Sequence, residues 1–273
     1  MHGDLEDLEI ELLLEAIYRH YGFDFRSYAR SSIRRRMWKR AHAEGLTTIS
    51  ALTERVLHEP ACMERLMKDL SVNVTSMFRD PSFYLSFRKN ICPILRTYPF
   101  VRIWNAGCST GEETYSLAII LKEEGLYDRT RIYATDINQN VLDQARAGVV
   151  PLSKMRGYTD NYLRSGGTAE FSEYYVARED RVLLSRSLSE NVVFAQHNLV
   201  SDRSFNEFNV IICRNVMIYF SKDLQDNVHE LLYNSLVMFG VLALGRRESI
   251  RMARLADRYK PLDDRERMYR RIA

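Results

Sequence analysis

The chain has 273 residues, 46% of them hydrophobic, and a formal net charge of +3. That is enough for one α/β core of ordinary size plus a small satellite domain, and it argues against dominant disorder. So small a charge surplus does not imply bulk nucleic-acid binding, and any basic effect must come from local clusters. Cys62, Cys92, Cys108 and Cys213 form no C-x-x-C pair, and neither a secretory nor a transmembrane segment is expected. Reduced thiols, a cytoplasmic location and no direct membrane insertion are the corresponding expectations. The six histidines are scattered without ligand spacing, so no metal is expected.

In chain order, Leu5, Leu8, Leu12 and Ile17 leave Glu6, Asp7, Glu9 and Glu15 off an apolar stripe, which predicts an amphipathic, acid-rich first helix. A second helix runs from Tyr28 to Ala43 through Ile33-Arg-Arg-Arg-Met-Trp-Lys-Arg40. Ile33 and Met37 lie one turn apart, as do Arg35 with Lys39 and Arg36 with Arg40, so one face is apolar and the rest basic. That basic face reads either as solvated surface or as a docking surface for an acidic partner. Thr47-Thr-Ile-Ser50 is a helix start, and Ala51 to Leu70, interrupted at Pro60, completes a helical domain over 1–70. Residues 71–98 are read as a linker and helix that contribute to a site. Asn73, Thr75 and Arg79 lie in its polar loop, and Asp80-Pro81 starts a helix with proline at its first position.

The organising stretch is Val101 to Leu121, a buried strand, a turn broken by Gly107 and Gly111, and a helix. Such glycines let backbone N–H groups approach a ligand, whereas Glu112 and Glu113 in the first helical turn would repel phosphate. The loop also lacks the third glycine of a dinucleotide fingerprint and the lysine of a P-loop. An adenosyl group carrying a sulfonium and an amino-acid tail fits best; the alternative is a βα turn with no ligand. Arg131 to Asp136 is a second strand, and its terminal carboxylate can accept two ribose hydrogen bonds or cap the helix Asn138 to Ala147. Residues 148–190 break the alternation and predict an inserted subdomain. Asn191 to Ala195 and Phe208 to Cys213 resume it as strands buried on both faces, followed by a helix Lys222 to Met238, a strand Val241 to Leu244 and an antiparallel return at Met268 to Ile272. The prediction is an α/β, doubly wound Rossmann-like sheet over 99–273 with a small N-terminal all-helical domain.

Together, Asn73-x-Thr75-x-x-x-Arg79, Ala106-Gly-Cys-Ser-Thr-Gly-Glu-Glu113, Ala134-Thr-Asp136 and Cys213-Arg-Asn-Val-Met-Ile-Tyr-Phe220 resemble the CheR family of S-adenosylmethionine-dependent chemoreceptor glutamate O-methyltransferases. The resemblance covers nearly the whole chain. It implies S-adenosylmethionine as cofactor and S-adenosylhomocysteine as product. Asn73, Thr75 and Arg79 would line the methionine end, Glu112 would hold the amino group and Asp136 the ribose. Asn198 and Leu199 would lie beside the adenine, and Ala106, Gly107, Ile137, Arg214 and Asn215 would line the pocket. Arg79 and Tyr219 match the catalytic pair beside the transferred methyl. Arg35, Arg36, Lys39 and Arg40 would dock the cytoplasmic helical region of a chemoreceptor.

Departures from the family pattern are Met77 for phenylalanine, Thr114 for proline, and Gly245-Arg-Arg-Glu-Ser249 for Gly-His-Ser-Glu. The 148–190 insert also departs from the β-subdomain expected of members that bind a receptor's C-terminal pentapeptide, so no such tether is expected. A monomer is expected. Nucleic acid is not expected as a partner, because the segment after Cys213 lacks the Asn/Asp-Pro-Pro-aromatic turn of base methylation and no aromatic-rich basic platform is present. The alternatives are a cofactor-binding regulatory module without turnover and a methyltransferase for another acidic protein.

Overall fold

The computed structural model describes residues 2–71, 74–250 and 254–273. They pack as two units, Met1–Asn73 with Tyr219–Asn227, and Val74–Ile218 with Val228–Ala273.

The first unit contains α1 (His2–Tyr21), α2 (Arg30–Ala43), α3 (Ile49–His58) and α4 (Pro60–Leu70). Thr48 caps α3 by accepting from the Ala51 N–H, and Pro60 occupies the first position of α4. The expected apolar stripe of α1 is corrected: Leu5, Leu8 and Leu12 are all more than half exposed. Ile17 is buried as expected, but its buried companions are Ile10, Leu13 and Leu14, a set with i, i+3, i+4, i+7 spacing that packs as one continuous face. In α2, Ile33, Met37 and Ala41 are buried at one-turn spacing.

The second unit opens with α5 (Pro81–Ser86), which runs through a π turn (Phe87–Ile91) into α6 (Cys92–Leu95). Then come β1 (Val101–Ala106), α7 (Glu112–Glu123), β2 (Thr130–Asp136) and α8 (Gln139–Ala147). After the insert follow β6 (Val192–Gln196), β7 (Phe208–Cys213), α10 (Lys222–Asn234), whose residues up to Asn227 belong to the first unit, β8 (Leu236–Leu244), β9 (Tyr259–Asp263) and β10 (Met268–Arg271). Among the described residues these strands make a seven-stranded sheet in the order β6-β2-β1-β7-β8-β10-β9. The first five are mutually parallel, and β10 is antiparallel to both β8 and β9. The fold thus comprises a Rossmann-like methyltransferase sheet and an all-helical domain. The helix expected to reach Met238 stops at Asn234, because Val237 and Phe239, residues that favour strands, enter β8.

The insert contains β3 (Val149–Pro151), α9 (Met155–Arg164), β4 (Tyr175–Arg178) and β5 (Arg181–Leu184), the strands forming an antiparallel sheet β3-β5-β4. It is therefore a β-subdomain, more regular than its turn-rich sequence predicts. All four cysteines are free and buried. Among the described residues no helix is long and apolar enough to cross a membrane.

Candidate active site

Strand β1 pairs with β2 on one side and β7 on the other, so the strand order reverses at β1. The carboxyl ends of the parallel strands share one edge there, the place where open α/β sheets bind ligands. Gly107 leaves β1 at φ +74°, and a Cβ on it would stand 2.4 Å from Val216 Cγ2, so no side chain fits. The Gly107 and Cys108 N–H groups donate to the Thr135 carbonyl at 2.8 and 2.9 Å, binding the loop to the end of β2.

Asp136, 9% exposed, completes the same corner. Its Oδ2 accepts from the Ser109 N–H at 2.9 Å and its Oδ1 from the Asn138 N–H at 3.0 Å. Burial, outweighing these N–H groups, holds its carboxyl above the usual range. The alternative role of capping α8 belongs to Asn138, whose Oδ1 accepts from the Asn140 N–H. Across the loop Glu112 is also buried, with Thr110 donating to Oε2 at 2.6 Å, Tyr158 to Oε1 at 3.3 Å and the Lys154 ammonium 4.0 Å away. Two buried carboxylates around a turn bounded by Gly107 and Gly111 suit a ligand with a cationic group and hydroxyls. They suit a phosphate poorly. The residues present therefore fit S-adenosylmethionine.

Arg214, expected to line the pocket, ties the corner together. Its Nη1 donates to Glu113 Oε2 and its Nη2 to Asp80 Oδ2, both at 2.7 Å, and the guanidinium lies 3.9 Å from the Phe83 ring centre. The side chain is 1% exposed. Glu113 is thereby engaged by Arg214 and, through Oε1, by Asn105 at 2.8 Å. Thr114, the departure from proline, donates to Asn105 Oδ1 at 2.7 Å, and Met77 is fully buried in the core, so packing absorbs both substitutions.

Asn215 adopts φ +61° and begins a loop wrapped around a residue that sequence reasoning missed. The buried Glu248 carboxylate accepts from the N–H groups of Asn215, Val216, Met217 and Gly245 at 2.6–2.9 Å. It is the glutamate that Gly245-Arg-Arg-Glu keeps in register with Gly-His-Ser-Glu, and that shared acid was the available signal. Burial pushes its carboxyl up despite the four donors.

Thr75 and Arg79 lie in the loop before α5. Phe78 and Asp80, on either side of Arg79, both take left-handed conformations at φ +50° and +58°, a strained arrangement that needs firm anchoring. The anchors are the Phe78 N–H, which donates to Ser116 Oγ at 2.9 Å, and Asn161, which donates to the Met77 carbonyl at 3.1 Å. The fully buried Phe78 ring meets Tyr84 and Tyr162 edge-on. Arg79 is partly exposed, and its Nη1 donates to the Val74 carbonyl at 2.8 Å. Asn73 lies outside the described residues. Asn198 and Leu199 are half-buried in the turn after β6, where Asn198 Oδ1 accepts from the Val200 N–H; the Ile137 carbonyl accepts from Gln196 at 2.8 Å. Ala106, Gly107, Glu112, Asp136, Ile137, Asn198, Leu199, Arg214 and Asn215 thus gather along one edge of the sheet.

Tyr219 packs within the helical unit. Its carbonyl accepts from the Ala29 N–H at 2.9 Å, and the Arg36 guanidinium lies 4.6 Å from its ring centre. Arg36 is 6% exposed and donates to the Leu70 carbonyl, so it leaves the exposed basic face expected of α2. Burial lowers its pKa. Arg40 and Lys39 both pair with Asp69, and Arg40 also pairs with Glu44 at 3.2 Å. Arg35 is exposed and makes no ion pair among the described residues. The expected continuous basic surface is therefore broken, because the helix turns one of its arginines inward and neighbouring acids take up two more cations.

Fold and site together define a Rossmann-like methyltransferase that uses S-adenosylmethionine. The model for the CheR methyltransferase SAM binding domain matches residues 73–266, and that for the CheR methyltransferase all-alpha domain matches residues 8–71. The chain belongs to the CheR methyltransferase family. It is 47% identical over 265 residues to a Pseudomonas putida protein provisionally named methyltransferase Cher3, covering 97% of each chain. It is 28% identical over 257 residues to the chemotaxis protein methyltransferase of Salmonella typhimurium, covering 90% of this chain and 85% of that one.

Proposed function

We propose that the protein transfers a methyl group from S-adenosylmethionine to glutamate side chains of a chemoreceptor's cytoplasmic helical region. The observation that carries this reading is the matching of both family domains, in order, across residues 8–266, with Arg79 and Tyr219 present. When bound, S-adenosylmethionine supplies the electrophilic methyl at its sulfonium and leaves as S-adenosylhomocysteine. In this reading Asp136 accepts hydrogen bonds from the ribose, Glu112 neutralises the amino group, Thr75 borders the methionine end, and Asn198 and Leu199 border the adenine.

A glutamate is already ionised at neutral pH, so the acceptor needs no general base. With the cofactor bound, a carboxylate oxygen would take the methyl carbon as its bond to sulfur broke, the electron pair staying on sulfur and no proton moving. What the protein must supply is orientation. Arg79 presents a planar fork to the acceptor carboxylate, and the Tyr219 hydroxyl donates to its second oxygen. The strained, anchored loop around Arg79 and the packing of Arg36 against Tyr219 support this assignment, since both hold a proposed catalytic side chain against a fixed background.

The test supplies the purified chain with methyl-labelled S-adenosylmethionine and a receptor cytoplasmic fragment. The expected product is base-labile label on receptor glutamates, lost when those glutamates are replaced by alanine. Cofactor binding with no label transferred to any fragment would instead favour a regulatory module without turnover.

A further inference from the structure

The departure Gly245-Arg-Arg-Glu has a structural counterpart in the sheet unit. A cleft of about 520 Å³ opens there, lined by Asp80, Ser82, Leu85, Arg164, Arg246 and Arg265. Its volume falls within the roughly 300–1,000 Å³ range of specific binding pockets, yet its polar residues are dominated by three arginines. Those arginines come from three separate places: the end of α9 in the insert, the loop after β8 and the turn before β10.

Two acids in and beside the cleft are already engaged. Asp80 pairs with the buried Arg214, and Glu266 pairs with Arg246 at 2.8 Å, while Arg246 also donates to the Ser82 hydroxyl. Arg164 and Arg265 are exposed and make no ion pair among the described residues. The cleft therefore presents two uncommitted guanidinium forks around a third that is held in place. Each fork matches a carboxylate with two parallel hydrogen bonds. The carboxylates of Asp80 and Glu266 set the charge the site tolerates, since they oppose a doubly charged phosphate more strongly than a singly charged side chain. The cleft also borders the transfer loop directly, because Asp80 follows Arg79 in the chain.

We propose that this cleft binds acidic side chains of the polypeptide substrate, flanking the glutamate that is methylated, and so serves as a second specificity site. The proposal rests on the glutamate-methylating reading above and adds to it a place where neighbouring carboxylates are read. A substrate with several acids near the acceptor engages Arg164 and Arg265 together, and one with a solitary glutamate does not.

The experiment titrates the full chain with fluorescently labelled octaglutamate in the presence of S-adenosylhomocysteine, for the wild type, Arg164→Ala/Arg265→Ala and Arg164→Glu/Arg265→Glu. The alanine pair should weaken octaglutamate binding about three- to tenfold, as expected for two partly solvated ion pairs. The glutamate pair should weaken it further, and S-adenosylhomocysteine affinity should stay unchanged in both, which reports an intact fold. Unchanged octaglutamate binding in the double variants would overturn the proposal. Stronger competition by inorganic phosphate or a single-stranded oligonucleotide than by unlabelled octaglutamate would overturn it too, by reassigning the cleft to another anion. Failure of the wild-type chain to bind S-adenosylhomocysteine would instead contradict the methyltransferase reading, while octaglutamate binding is scored on its own.

Discussion

Glu44 of the helical unit and two buried acids of the sheet unit, Asp136 and Glu248, are held in opposite ways. In the helical unit, Glu44 lies among Arg40, Arg55 and Arg65, with Arg65 donating to both of its oxygens at 2.7 and 2.9 Å, and these cations hold its carboxyl down at about 2. In the sheet unit, Asp136 and Glu248 have no cation beside them among the described residues. They accept from backbone N–H groups, and burial holds both above the usual carboxylate range. Arginine-paired acids join helices to one another. Acids on backbone N–H groups shape the loops at the sheet's carboxyl edge, where a ligand sees fixed dipoles and a negative group together.

The sharpest way to break this contrast is at Glu248. Glu248→Ala strands four N–H groups, two of them buried and two part-buried, and should cost about 3–5 kcal/mol of stability, read by denaturant unfolding. Glu248→Gln keeps an acceptor and should recover part of that loss. If Glu248→Ala unfolds like the wild type, the loop from Asn215 to Met217 is held by something else.

Asp136 comes next. Asp136→Ala should weaken S-adenosylmethionine binding by about 1.5–3 kcal/mol, the scale of hydrogen bonds to a charged group. Calorimetry checks it, and an unchanged dissociation constant would leave Asp136 as a purely structural tie between Ser109 and Asn138.

The smallest effect is the pH signature. Glu44 has a folded-state pKa below its unfolded value, so its contribution is complete above the ordinary glutamate range and drains as pH falls toward about 2. Asp136 and Glu248 are displaced upward, so the native state holds their protons more tightly. Their contribution is largest at low pH and declines as pH rises through the ordinary carboxylate range into the raised values. Glu44→Gln should therefore flatten the acid limb of stability against pH by about 1–2 kcal/mol, whereas Glu248→Gln should not. An acid limb unchanged by Glu44→Gln would contradict the ion-pair account of the helical unit.

What could be read in the sequence follows from how local each signal is. Gly107, Glu112 and Asp136 were legible because a strand, a glycine turn and a second strand ending in an acid follow one another closely and constrain one corner. Glu248 was not singled out, because three of its partners lie more than 30 positions away and only the folded loop brings them in. The α1 stripe was misread because two apolar sets share that helix, and periodicity alone does not say which one meets a neighbour. Arg36 illustrates the same limit within a basic run. Its charge counted toward a surface, yet its position on α2 faces Leu70 and Tyr219. The order of the parallel strands, the return of β10 and the β-subdomain in the insert depend on pairings that no single stretch encodes.

The central claim is that Arg79 serves the transfer step and not cofactor retention. The direct measurement pairs calorimetry of S-adenosylmethionine binding with single-turnover methyl transfer to a receptor fragment for the wild type, Arg79→Ala and Arg79→Lys. The account predicts a loss of at least about a hundredfold in turnover for Arg79→Ala, poor rescue by lysine, which lacks the fork, and a dissociation constant for the cofactor within about threefold of the wild type. Wild-type turnover in Arg79→Ala at saturating substrate, or a loss explained wholly by weaker cofactor binding, would contradict it.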